Sequence, residues 1–254
     1  MTTFVKEKYL LLLFFLLLIV AANAQNFVVN STIDAVDSNP GNGICDDGLG
    51  NCPIRAAILE SNALGGAHTI TLPAGIHTLT IGGVGENASA TGDLDVTSNI
   101  TINGVSPSVT IIDVNNIDRV FHILPVGVLT MSNTTIKNGN TLKDHGGGFL
   151  NEGILSINYC HITENTSTLP VGATYSGGFG GGIANFGYLT IENSTLFLNE
   201  AIGGRGTNGQ NGGGGGGSTP GFGGAIYNNL NGLITLKNTT ISENIARGGS
   251  CLLY

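Results

Sequence analysis

Four segments align when each is started at a glycine: GVLTMSNTTIKN from Gly127, GILSINYCHITEN from Gly153, GYLTIENSTLFLN from Gly187 and GLITLKNTTISEN from Gly232. Two residues past the glycine stand Leu129, Leu155, Leu189 and Ile234; four past it, Met131, Ile157, Ile191 and Leu236; nine past it, Ile136, Ile162, Leu196 and Ile241. Alternate residues of a strand share a face, so each unit reads as a short strand with one apolar face, a turn, and a second short strand. One such unit cannot cover its own apolar face. Copies must therefore stack, like burying like.

The glycines are 26, 34 and 45 residues apart, and the growth lies in Gly-rich stretches between repeats. A coil of constant cross-section with loops of variable length has this property; a compact sandwich or barrel has no reason to hold the inward pattern fixed while a connection nearly doubles. The expected fold is all-β, a parallel β-helix (solenoid) with a short N-terminal capping helix. Earlier stretches show the same habit without the glycine: HTITLPAGIHTLTI at 68–81, GDLDVTSNITINGVSPSVTIID at 92–113 and RVFHILPVGVLTM from Arg119. The repeats are expected over 68–248.

The chain begins with Lys6 and Lys8, an apolar run from Leu10 to Val20, and Ala22-Asn23-Ala24 before Gln25. That is the pattern of a secretory signal peptide over 1–24, cleaved between Ala24 and Gln25. The rival reading, a retained anchor, has an apolar run short of the ~20 residues that a span needs. Without the leader the chain keeps 7 basic and 16 acidic residues, a net charge of about −9. With no basic stripe, nucleic acid is not an expected partner. GRGTNG at 204–209 satisfies G-x-G-x-x-G inside a glycine tract, without the strand and helix that a nucleotide site requires. The overlapping GGRGTN is one Asp short of a calcium-binding GGxGxD unit and occurs once, so no cofactor is expected, with Ca²⁺ as the alternative.

Asparagines recur at two offsets: Asn133, Asn193 and Asn238 six residues past the glycine, where the second repeat has Tyr159, and Asn165, Asn199 and Asn244 twelve past it. Asparagine tolerates left-handed backbone and can bond turn amides with its own side chain, so these read as structural corner residues. Asn133, Asn165, Asn193 and Asn238 also open Asn-x-Ser/Thr triplets, the acceptor pattern for glycosylation in a eukaryote.

With these elements in hand, the sequence resembles secreted bacterial proteins that begin with a CSLREA domain and continue as a right-handed parallel β-helix, with repeats similar to those of chlamydial polymorphic outer membrane proteins. The matching elements are FVVNSTIDAVDSNPGNGICDDGLGNCPIRAAILESNAL, HTITLPAGIHTLTI, GDLDVTSNITI, RVFHI, and the turns GGGFLNEG, GGGIANFG and GGAIYNN. The name-giving hexapeptide falls on Cys52-Pro53-Ile54-Arg55-Ala56-Ala57, which keeps the Cys, the Arg and the final Ala but has Ala where that family has Glu. A role that needs that carboxylate is therefore absent. The resemblance implies an N-terminal cap over 25–67 and relatives that continue into further coils and an anchor. The tail at 249–254 is then expected to be truncated, with an exposed last coil.

From the residues themselves, Pro53 favours a helix start, and Ile54, Ala57 and Ile58 share one helical face. Cys45 and Cys52, with six residues between them in an oxidising compartment, favour a disulfide; a metal site with Asp46 and Asp47 is the sharper alternative. Cys160 occupies a repeat position held elsewhere by Thr134, Ser194 and Thr239 and reads as a buried small residue.

For function, the expectation is a noncatalytic secreted or cell-surface protein, bacterial outer-membrane or extracellular, adhesin-like or structural, binding a surface protein or glycan through Gly-rich loops. Contact with a membrane is expected only through an uncleaved signal or a missing C-terminal anchor. The alternative is a carbohydrate-active enzyme, a polysaccharide lyase or hydrolase, using Asp93 and Asp95 on one strand face with Asp113 and Arg119 one coil onward.

Overall fold

The computed structural model describes residues 24–83, 85–142, 144–170, 178–205 and 218–249. A first strand, β1 (Asn26–Val28), is followed by the helix α1 (Ile54–Leu64). The chain then makes repeated circuits. The first holds β2 (Ala67–Thr71), β3 (Gly75–Thr78) and β4 (Leu94–Val96); the second β5 (Asn99–Asn103), β6 (Thr110–Asp113) and β7 (Phe121–Ile123). The third holds β8 (Val128–Ser132), β9 (Thr135–Lys137), β10 (Asn140–Leu142) and β11 (Phe149–Asn151). The fourth runs through β12 (Ile154–Asn158), β13 (His161–Thr163), β14 (Thr166–Thr168) and β15 (Ile183–Asn185). The fifth runs through β16 (Tyr188–Glu192), β17 (Thr195–Phe197), β18 (Glu200–Ile202) and β19 (Ile226–Asn228), and β20 (Leu233–Lys237), β21 (Thr240–Ser242) and β22 (Ile245–Arg247) follow.

Each circuit adds one parallel strand to each sheet it visits. The first sheet has the order β1-β2-β5-β8-β12-β16-β20, the second β3-β6-β9-β13-β17-β21, the third β10-β14-β18-β22 and the fourth β4-β7-β11-β15-β19. The fold is thus all-β with a single helix among the described residues.

The register makes the repeat physical. Ile100, Leu129, Leu155, Leu189 and Ile234 form one column of the first sheet, and Ile112, Ile136, Ile162, Leu196 and Ile241 one column of the second. All but the last member of each column are 0–2% exposed. On β20 and β21 the same positions, Ile234 and Ile241, are 38% and 45% exposed, because no described strand lies beyond them.

The two asparagine offsets do different work. Asn133, Tyr159, Asn193 and Asn238 have φ between 47° and 58°, as do their counterparts five residues on, Asn138, Glu164, Leu198 and Glu243, at 54–57°. Left-handed backbone thus recurs at both corners of the unit, and in several places on residues other than asparagine. Asn165, Asn199 and Asn244 follow the second corner and turn inward as a ladder. Asn165 Nδ2 donates to Asn199 Oδ1 and Asn199 Nδ2 to Asn244 Oδ1, both at 2.9 Å, while Asn199 Nδ2 also donates to Ile162 O at 2.8 Å. Asn165 and Asn199 are fully buried. Their amides answer backbone groups that have no water to bond. A second ladder, Asn151–Asn185–Asn228 in the fourth sheet, joins at 2.7 and 2.6 Å.

The triple-glycine stretches are also part of this frame. Gly146, Gly180 and Gly223 have φ of 67–70°, a region open to residues without a side chain. Around them Gly147 N bonds Gly180 O, Gly181 N bonds Gly223 O, and Gly182 N bonds Gly224 O. These glycines, in the stretches read from the sequence as turns, build a stacked corner. The tract at 206–217, and with it most of the G-x-G-x-x-G match, lies outside the described residues, as do 1–23 of the leader and 250–254 of the tail.

The N-terminal segment is wound into the same frame. Gln25 O accepts from Thr69 N at 2.8 Å and β1 pairs with β2, so the first sheet starts within the stretch expected to be only a cap. Cys45 and Cys52 form a disulfide, Cα–Cα 5.2 Å. The alternative metal site with Asp46 and Asp47 loses its two thiolates to that bridge, and the carboxylates order the loop, Asp46 Oδ1 accepting from Gly48 and Gly50 and Asp47 Oδ1 from Leu49 and Asn51. Pro53 caps α1 in extended conformation, and Ile54, Ala57 and Ile58 are buried against the first strands. Cys160 is buried, and burial pushes its thiol up to about 11.

Candidate functional site

The charged residues gather on the outer face of the fourth sheet. Leu94 and Val96 of β4 point into the core, which turns Asp95 outward; Phe121 and Ile123 do the same for His122 on β7. Parallel pairing sets Asp95 directly beside His122, and β11 follows next in the same sheet. The stretch before β4 folds back over this face. Ser89, fully buried, donates N–H to Asp95 Oδ2 at 2.8 Å, its hydroxyl donates to Asp95 O at 2.8 Å, and Asp95 N donates to its Oγ at 2.6 Å.

Two chains of polar contacts result. In one, Arg119 Nε donates to Asp93 Oδ2 at 2.5 Å, its NH2 group to Asp144 Oδ2 at 3.0 Å and its NH1 group to His145 O at 2.8 Å. In the other, His122 Nδ1 lies 3.3 Å from Asp95 Oδ1, and His122 Nε2 lies 3.0 Å from Glu152 Oε2. The side chains of Asp93 and Asp95 are 6% and 0% exposed. Beneath them Arg55, carried outward by α1 and also fully buried, grips Asp34 at 2.6 Å and donates to the carbonyls of Ser89, Gly92 and Asp93.

Electrostatics follow from this burial. Desolvation pushes Asp93 up to about 6, Arg119 pulling the other way and Asp95 reinforcing the rise. Desolvation also raises Asp118. Burial opposes the charged forms of Arg119 and Asp144, but Asp93 and then Asp144 outweigh it for the guanidinium, and Arg119 in turn holds Asp144 below the usual carboxylate range. Burial would lower His122 as well, yet Asp95 and Glu152 together raise it. His145 is lowered, chiefly by burial.

Further along the sheet the outer face becomes aromatic. His145, Phe179 and Phe222 each immediately precede the left-handed glycine of a stacked corner, so they fall into one column. Ring centroids are 4.5 Å apart for His145–Phe179 and 5.6 Å for Phe179–Phe222, and Tyr227 stacks on Phe179 at 4.2 Å. Phe186 closes the cluster 6.0 Å from Tyr227.

Of the four residues expected as an alternative catalytic group, the structure brings together Asp93, Asp95 and Arg119. Asp113 is elsewhere: it ends β6 in the second sheet, where Oδ1 accepts from Asn115 N and Asn138 Nδ2 at 2.9 Å each. Sequence reasoning missed His122, Asp144, Glu152 and the anchoring Arg55. The turn lengths concealed them: Ile100 pairs with Leu129, 29 residues on, but Asp95 pairs with His122, 27 on. The turn before β8 is two residues longer than the one before β5, so the interval between neighbouring strands is 27 residues in the fourth sheet and 29 in the first. No protein-family model, no curated protein and no solved structure matches this chain.

Proposed function

We propose that this chain is a noncatalytic secreted or cell-surface module, adhesin-like or structural, whose four-sheet circuit is a right-handed parallel β-helix. Parallel crossovers are right-handed in nearly all cases, which supports the hand. The resemblance to CSLREA-domain proteins and the Cys45–Cys52 disulfide support an extracellular setting.

The observation that carries the noncatalytic reading is the enclosure of the acids. Asp95 has a fully buried side chain and Asp93 is paired with Arg119 behind the same cover. A general acid or nucleophile must reach the atom on which it acts. Here the carboxylates bond the protein's own backbone and cations. The outward aromatic column offers a stacking surface beside acidic groups, suited to a glycan or a surface protein.

One observation favours the second reading, a carbohydrate-active enzyme: Asp93, held near 6, titrates where a general acid would. Incubation with neutral and acidic polysaccharides, followed for new reducing ends and unsaturated products, separates the two. The noncatalytic reading expects no turnover. Turnover that Asp95→Asn abolishes in a protein that remains folded would replace it with the enzyme.

A further inference from the structure

We propose that Asp93, Asp95 and His122 form a site for a divalent first-row transition ion such as Zn²⁺, which would clasp the first two strands of the fourth sheet with Glu152 orienting the histidine.

The donor atoms of the three residues lie within 4.8 Å of one another, and all three residues are buried. A second observation points to a cation: Asp95 Oδ1, on a fully buried side chain, has no hydrogen-bond partner. It faces His122 Nδ1 at 3.3 Å, close but without the alignment of a hydrogen bond. His122 Nε2 is engaged by Glu152 Oε2 at 3.0 Å, so the ring's hydrogen in the neutral form belongs on Nε2. Nδ1 then presents a lone pair toward a carboxylate oxygen. Two acceptors face each other across a gap that suits a positive charge.

The surroundings match what holds metal-binding histidines in place. A carboxylate on the far ring nitrogen fixes the tautomer and raises ligand basicity. Arg119 occupies Asp93 Oδ2, leaving Oδ1 for an ion and steering that carboxylate in the same manner. Asp93, Asp118 and Asp144 lie against Arg119, and Asp95 and Glu152 against His122, while the nearby Arg55 is paired with Asp34, so a dication offsets surplus negative charge. Two carboxylates with one imidazole suit Zn²⁺ or Mn²⁺; Ca²⁺ prefers six to eight oxygens.

The test is titration of the chelator-stripped full chain with Zn²⁺ alone, by calorimetry against a competing chelator, beside the variants His122→Gln, Asp95→Asn, Glu152→Gln and, as a remote control, His161→Gln. One Zn²⁺ per chain is expected. Loss of either ligand should weaken binding about 100-fold or more, and Glu152→Gln about 10- to 100-fold, with His161→Gln unchanged. Zn²⁺ should raise the melting temperature and equimolar Ca²⁺ should not. No binding at ~100 µM Zn²⁺, or binding that survives both ligand variants, overturns the site. Should the ligand variants not fold, imidazole nitrogen resonances of the wild type decide: Zn²⁺ should shift His122 Nδ1 while Nε2 stays protonated. An Nδ1 that carries a proton and ignores Zn²⁺ makes the group an imidazolium ion pair and refutes the proposal.

Discussion

Replacing Arg55 by Met should destabilise the protein more than any other single change at its N-terminal end. The guanidinium is fully buried and donates to Asp34 Oδ1 at 2.6 Å, Asp34 Oδ2 at 3.2 Å, and the carbonyls of Gly92, Ser89 and Asp93 at 2.8, 3.0 and 3.3 Å. Methionine fills much of the volume but leaves the Asp34 carboxylate supported only by the amides of Thr80 and Ile81. Breaking a buried pair by removing one partner costs about 3–5 kcal/mol. The stranded carbonyls add to that, so about 5 kcal/mol is expected, a large share of a typical total stability. Urea denaturation followed by circular dichroism measures it. The double variant Arg55→Met/Asp34→Asn should recover part of the loss, because the new side-chain amide would carry no charge and its oxygen could still accept from the N–H groups of Thr80 and Ile81. An Arg55→Met protein within about 1 kcal/mol of wild type, or a double variant less stable than the single, would refute the reasoning.

Three further outcomes are expected. Reducing Cys45–Cys52, or replacing both with Ser, should cost about 2.5 kcal/mol from the short loop that the bridge closes, measured by urea melts with and without reductant. Gly181→Ala should destabilise by about 1–3 kcal/mol or more, since a Cβ there would overlap the backbone of Glu200, whereas Gly82→Ala, with open space around it, should be neutral in the same melts. His77 is buried, with Nε2 3.2 Å from Pro73 O, and burial lowers it below 6.5; it favours the folded state when neutral, and that contribution is lost as pH falls through 6.5. Because Asp93 and Asp118 are raised and shift stability the opposite way on acidification, the effect is read as the difference between wild type and His77→Leu. That difference should move in favour of the variant between pH 7 and 5; a constant difference would contradict it.

The inward columns were legible in the sequence because they depend on two periods that a chain cannot disguise: alternation within a strand and recurrence after each glycine. Leu155 and Ile162 are buried for that reason. The helix was legible from Pro53 and the spacing of Ile54, Ala57 and Ile58. The asparagines were legible as structural but not as two populations, since left-handed corners and inward ladders favour the same residue for different reasons. The outer face of the fourth sheet was the least legible part. Its neighbours are set by how many residues separate successive strands of that sheet; the 27 residues from Asp95 to His122 pass through β5 and β6, which places Asp113 on another sheet. Arg55 gave no sign of its role because its partners, Asp34 and the 89–93 stretch, sit outside every repeat.

Residues one repeat apart stand one strand apart on a common column, and pulsed electron–electron double resonance tests this most directly. Thr69, Thr101, Thr130, Ser156, Thr190 and Thr235 occupy one such column of the first sheet. With strands ~4.8 Å apart, spin labels at Thr69 and Thr190, four strands apart, should lie about 19 Å from each other, and labels at Thr69 and Thr235, five apart, about 24 Å. The 45 residues between Thr190 and Thr235 should add only about one strand spacing. Distances that scatter broadly, or a second pair separated by far more than one further strand, would contradict the stack and the site built upon it.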